Sequence, residues 1–264
     1  MLRSVFGKTL WDGRRAIIGW IIGITAVGCL YAAFFSIVNT PEMAGAIKAY
    51  PEGLLDAIGF TDISSAAGYV GSTTFGLLGP ALVLVFAAAL GGAAIAGEEE
   101  AGRLDLTLAH PVTRWGVVLQ RFAALIVAMV TAGLVLALAL IAMSGPAQLD
   151  DLEPANILAA SAQLALLGVF FGALALALGA ATGRRNLANA TVAIVGVAGF
   201  LANNLAASVS GLEWIQALSP FYYQAGGAPL RDGLQVADCA VLTVASLVLV
   251  ALGGVVFDRR DVAV

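Results

Sequence analysis

Six long stretches of this 264-residue chain carry no charged side chain: residues 16–41, 63–97, 122–149, 154–183, 186–212 and 239–257. Crossing the hydrocarbon core of a bilayer takes roughly 20 apolar residues at about 1.5 Å each, so each stretch has room for one helix. The expected spans are 16–38, 73–96, 121–143, 157–181, 187–208 and 237–257. Helices are the required form, because lipid offers no partner to an open backbone N–H or C=O. Strands of a barrel would alternate polar and apolar residues, and the run GLVLALALIA at 133–142 does not. The first run is also too long and unbroken for the apolar core of a signal peptide. An all-α, polytopic membrane protein follows, with the whole chain, 1–264, as a single domain.

Composition closes the other routes. With 60% hydrophobic and 11% charged residues, the chain cannot cover a soluble domain with polar groups. Disorder is excluded by the same numbers. Two cysteines cannot staple a secreted scaffold, and a net charge of −4 argues against nucleic acid.

The few charges set the topology. Eleven of 13 basic residues share one side of the expected spans: Arg3, Lys8, Arg14, Arg15, Arg103, Arg114, Arg121, Arg184, Arg185, Arg259 and Arg260. Only Lys48 and Arg231 lie opposite. Positively charged loops stay in the cytoplasm, so both termini are expected there, in a cell (plasma) membrane. The arginine-rich, alanine-rich composition suits a prokaryote.

Several segments outside the spans have patterns of their own. In residues 1–15, Leu2, Val5, Phe6 and Leu10 recur at helical spacing, as in an amphipathic helix lying on the inner leaflet. Thr40-Pro41-Glu42 and Tyr50-Pro51-Glu52 read as two helix starts in the loop 39–72. The segment 209–236 is semi-polar and aromatic, with Pro220, Pro229 and Gly226-Gly227, and suits short interfacial or re-entrant helices. Between the second and third spans, 97–121 is the densest polar stretch. Gly97 can end the second span in a left-handed cap, and Glu98, Glu99 and Glu100 then open the next helix at the positive end of its dipole. Pro111 ends that piece, and Thr113 can cap a third helix of about 45 Å from 114 to 143. Three successive glutamates suit either a solvated face or a surface for another protein. Pro80, after Gly79, should kink the second span by removing a hydrogen bond.

No catalytic constellation survives inspection, so the chain is expected not to be an enzyme. Its one histidine, His110, lies in the polar loop, and Cys29 and Cys239 lack ligand spacing. Gly7-Lys8-Thr9 lacks the upstream glycine of a phosphate loop, where Leu2 stands. No metal and no cofactor is expected in this chain. The spans hold essentially no ionisable group, which disfavours a proton-driven transporter. Their polar residues Gln163, Asn189, Asn203 and Asn204 either bond between helices or line a pathway. Gly19 and Gly23, and Gly168 and Gly172, allow close helix approach, between subunits or within one.

Gly97-Glu98-Glu99-Glu100, then Gly102-Arg103-Leu104-Asp105-Leu106, then His110-Pro111-Val112-Thr113-Arg114 resembles the first cytoplasmic loop of type-2 ABC transporter permeases. That loop runs from acids through G-T-L-(D/E)-L-L-L to P-(V/I)-(S/T)-R. Arg103 here replaces the commoner threonine and Thr107 a commoner leucine. Ala217-Leu218-Ser219-Pro220-Phe221-Tyr222-Tyr223 and Phe257-Asp258-Arg259-Arg260-Asp261-Val262 are similar to recurring stretches of the same family.

The resemblance implies six helices per subunit, paired with a second permease copy or a sister permease, and two ATP-binding subunits that hold ATP and magnesium. It makes 1–15 an elbow helix and 98–114 a coupling helix. The residues meeting the ATPase would be Glu98, Glu99, Glu100, Arg103, Asp105, Leu106, His110, Pro111 and Arg114. The cargo implied is small and hydrophobic or amphipathic: a drug, an antibiotic or a lipid. An ATP-independent channel, or an assembly factor that transports nothing, are the competing expectations.

Overall fold

A computed structural model describes residues 4–38, 65–109, 112–149, 151–208 and 213–260. All regular structure among them is helical. Six helices are long and apolar enough to cross a membrane: α1 (Val5–Val38), α2 (Ala66–Glu100), α4 (Arg114–Met143), α5 (Pro154–Thr182), α6 (Arg185–Ser208) and α10 (Val236–Arg259). Four short helices complete the set: α3 (Leu104–Leu108), α7 (Glu213–Gln216), α8 (Pro220–Ala225) and α9 (Pro229–Asp232). The start of α1, the end of α10 and α3 lie at one end of the bundle, termed the basic end; α7, α8 and α9 lie at the far end.

The helix starts follow from local chemistry. Thr113 caps α4 by accepting from the Gly116 N–H at 3.0 Å. Proline occupies the first turn of α5, α8 and α9, where its missing N–H costs nothing. Ser219 caps α8, accepting from the Phe221 N–H at 3.2 Å. The segment expected as interfacial helices therefore does break into three short ones.

Two boundaries differ from the sequence reading. Residues 5–15 do not form a separate elbow: α1 runs unbroken from Val5, since nothing between 5 and 20 is a proline and the isolated Gly7, Gly13 and Gly19 do not interrupt the ladder. Gly97 does not end the second span either, because its φ of −67° is helical. Glu98–Glu100 prolong α2, and the turn into α3 is made at Gly102, whose φ of +63° favours glycine. The helix starts expected at Thr40 and Tyr50 lie outside the described residues.

The bundle is built around α5, which packs against α2, α4, α6, α8, α9 and α10. Of its most apolar window 67% is buried, against 17% for α1 and α6, so α5 is the core and those two are periphery. Small residues make the central position possible. A Cβ on Gly168 would come within 2.5 Å of Val83 Cγ1 and 2.7 Å of Met129 Sδ, and one on Gly172 within 2.9 Å of Leu125 Cδ2. These glycines thus seat α2 and α4 on α5 within one chain. Gly19 and Gly23 behave differently: both are exposed on α1, with nothing within 4 Å of an added Cβ. Aromatic contacts close the remaining seams, with Trp20 of α1 stacked on Phe86 of α2 at 5.7 Å.

Gly168→Leu should therefore lower the thermal midpoint of the detergent-purified chain, by an overpacking cost of about 1–3 kcal/mol. Gly19→Leu should leave it unchanged. Equal midpoints for the two variants would contradict this packing.

Candidate functional site

The helix that joins both ends of the molecule is α2, and its backbone departs from α-helical pairing twice. Over Gly71–Leu78 and Ala93–Gly97 the turns widen to π-helical register, in which each N–H reaches back five residues. The Gly79 N–H accordingly bonds to the Thr74 carbonyl. In that register the donor for the Phe75 carbonyl would be residue 80, which is proline and has none. The side chain of Gln224, 1% exposed, supplies it from α8: Nε2 donates to the Phe75 oxygen at 3.2 Å. The expected disturbance at Pro80 is thus present as a π-helical turn with an outside donor.

The second π segment also receives a side-chain donor. Arg121 of α4, 6% exposed, donates from Nη1 to the Ala94 carbonyl. Its other nitrogen, Nη2, lies 3.6 Å from Glu98. Burying a guanidinium is tolerated only with such partners.

At the basic end each of the three successive glutamates serves a different element. Glu98 accepts from Arg103 at 2.7 Å and forms a looser ion pair with Arg121 at 3.6 Å, tying α2 to the α3 turn and to α4. The bond from Arg103 holds its guanidinium above its ordinary pKa. Glu99 pairs with Arg260, just past α10. Glu100 accepts the Arg185 N–H at 2.8 Å and so caps α6, a carboxylate at the positive end of a helix dipole. Arg114 donates to the carbonyls of Phe257, Asp258 and Arg260 at 2.9, 3.2 and 2.6 Å, which closes the open end of α10. The spacing of like charges along the chain is therefore resolved by partners on separate helices.

The network leaves α3 outside the bundle with one side held. Leu104 is 1% exposed and anchors the helix, whereas Asp105 is exposed and Leu106 is 68% exposed. His110 and Pro111, named with this segment, lie outside the described residues.

The polar residues within the spans are differently engaged. Gln163, fully buried, donates to the Tyr223 carbonyl at 3.3 Å, and Asn204 donates to the Phe200 carbonyl of its own helix at 3.1 Å. Gln163, Asn189 and Asn203 each carry a buried side-chain oxygen with no hydrogen-bond partner among the described residues. Asn189 faces Gly92 of α2, with its Cγ 3.1 Å from where a Cβ would stand. Asn203 and Asn204 both line a far-end pocket between α2, α6, α8 and α9.

Sequence reasoning missed Arg121 and Gln224 as structural donors. A register argument could have found the second, since Pro80 guarantees one open carbonyl upstream. Nothing local marks Arg121, which stands among the basic residues flanking a span.

A sequence model of the family described as "Multidrug efflux system permease Rv1217c, C-terminal domain" matches residues 2–258, nearly the whole chain. The chain belongs to that family. It is a multi-pass membrane protein and a permease of a drug-efflux type. Comparison with curated proteins gives no match. Within this permease fold, the two π segments of α2 and their side-chain donors are the features that connect the basic end to the far end.

Replacing Gln224 by Leu leaves the Phe75 carbonyl buried and open, which should cost about 1–3 kcal/mol of stability. Pro80→Ala restores a backbone donor, so the same replacement should cost markedly less in that background. Thermal unfolding of the four members of this cycle checks it, and purely additive losses would contradict the pairing.

Proposed function

We propose that the chain is the transmembrane subunit of an ATP-driven exporter of the ABC-2 type, working as a pair and driven by a separate ATP-binding subunit. The observation that carries this reading is α3. A short helix projects from the basic end on a frame of ion pairs, with Asp105 and Leu106 turned outward. A solvated connector needs no such frame, whereas a contact that must transmit force needs a rigid mount. The basic end is taken as cytoplasmic because positively charged flanks are retained there.

The rest of the molecule agrees with this role. Among the described residues the interior of the bundle offers no chain of titratable groups for relaying protons, which supports a reading in which energy comes from a separate subunit. Because α3 follows α2 through a single turn at Gly102, a displacement of α3 acts directly on α2. Arg121 and Glu98 clamp that junction to α4. The cargo class that suits an apolar bundle with few polar groups is a small hydrophobic or amphipathic compound. The second permease in the pair is another copy or a sister chain.

The test is coexpression with a candidate ATP-binding subunit, followed by copurification and ATPase assay. Asp105→Arg combined with Leu106→Glu should release the partner or lower the stimulated ATPase rate roughly tenfold, since such contacts concentrate at a few residues. Asp151→Arg, exposed at the far end, should change neither. An intact complex and full stimulation in the α3 variant would sink the proposal.

A further inference from the structure

A groove of about 530 Å³ runs between α4, α5 and α10. Its volume falls within the range of about 300–1,000 Å³ in which small organic molecules are held. At the basic end α4 and α10 meet. A Cβ added to Gly254 would come within 2.6 Å of Trp115 Cζ3, and Arg114 donates to the Phe257 carbonyl at 2.9 Å. Beyond that junction the two helices border the groove, and α5 makes its floor.

The position of the groove relates it to the bilayer. Its lining on α5 runs from Leu158 to Val169, and on α10 from Cys239 to Leu247. Both helices start at the far end, and both stretches stop at about the middle of their helix. Along α5 the groove is therefore about 17 Å long, close to the roughly 15 Å of hydrocarbon in one leaflet. On those two helices it belongs to the far-end leaflet. Val130, Leu134, Leu158 and Leu247, all exposed, form an open rim that faces the membrane.

The lining restricts what can enter. None of its residues is charged. Thr243 and Ser246 donate their hydroxyls to the Cys239 and Leu242 carbonyls of their own helix, both at 2.7 Å. The Ser161 oxygen is buried. What the groove presents is hydrocarbon, and apolar cavities do not hold water. An α-helix with its side chains is about 10–12 Å across, so one laid along this length fills roughly 1,300 Å³ or more. No helix, of a second copy or of another protein, has room inside. An empty groove would forfeit the dispersion contacts of all three walls.

We infer that the groove holds one acyl chain of a phospholipid from the far-end leaflet, with the glycerol and headgroup left outside at the interface. The chain touches α4, α5 and α10 together and is retained when the surrounding lipid is exchanged. Recognition is of the chain and not of the headgroup, because the lining has no charge to offer. Binding of this kind is independent of the export role proposed above.

Native mass spectrometry of the full chain purified in mild detergent tests this. The expected result is one phospholipid retained per chain. Ala162→Phe and Thr243→Phe, at exposed lining positions on opposite walls, should each lower the retained fraction at least about fivefold by filling the groove, an effect on affinity of about 1 kcal/mol. Ala193→Phe, exposed on α6 away from the groove, should leave it unchanged. After delipidation, palmitoyl forms of phosphatidylethanolamine and phosphatidylglycerol should rebind equally and raise the thermal midpoint, as a ligand of the folded state does. Hexanoyl forms should do neither. No retained phospholipid, equal retention in the filled variants, or a strong preference for one headgroup would overturn the inference. So would a dimer that both filled variants dissociate, or a bound compound that is not a lipid. None of these results bears on copurification with an ATP-binding subunit, which judges the permease reading separately.

Discussion

Every backbone carbonyl inside a bilayer must find a donor within the protein, and α2 is where this chain strains that rule. Its π-helical turn at 71–78 and Pro80 leave the Phe75 carbonyl without a donor in its own ladder. Gln224 closes that carbonyl from α8, and Arg121 adds a side-chain bond to the Ala94 carbonyl from α4. Both donors are buried, so each bond ties α2 to another element at opposite ends of the membrane-spanning region. A helix pinned in this way can move only with its partners. That makes α2, rather than the more deeply buried α5, the element suited to carry a displacement along the molecule.

The basic end shows why so few charges suffice. Glu98, Glu99 and Glu100 stand side by side in sequence yet point to α4, α10 and α6. Arg114 closes the end of α10 from the first residue of α4. These bonds fix the positions at which four spanning helices emerge and leave the exposed side of α3 to other contacts. In a medium where the hydrophobic effect does not drive helix against helix, small-residue packing and such terminal braces are what orders the bundle.

Much of this was legible in the chain. Six charge-free runs located the six spans, and Thr113 marked a helix start that the structure contains. The segment before α10 read as short helices from its prolines and semi-polar composition. What stayed hidden was long-range. Glutamates beside a membrane look alike whether they face solvent or an arginine 161 residues away, as Glu99 does. The elbow expected at 1–15 rested on amphipathic spacing, which does not say where a helix bends, and α1 continues straight through it. Gly97 read as the cap of the second span, yet the positive φ stands at Gly102, a distinction that only backbone geometry makes. Of the four candidate polar residues, Gln163 braces α5 to the backbone at Tyr223, while Asn203 and Asn204 line a pocket. Sequence cannot make that division, because it depends on which carbonyl happens to lie within reach.

The account centres on α2 as the link between α3 and the far-end pocket. Hydrogen–deuterium exchange of the proposed complex with an ATP-binding subunit, with and without ATP, tests that link most directly. Exchange should change together in peptides covering 93–100 and 71–80, although the second lies at the opposite end of the helix from the docking site. A change confined to residues 93–114 would contradict it.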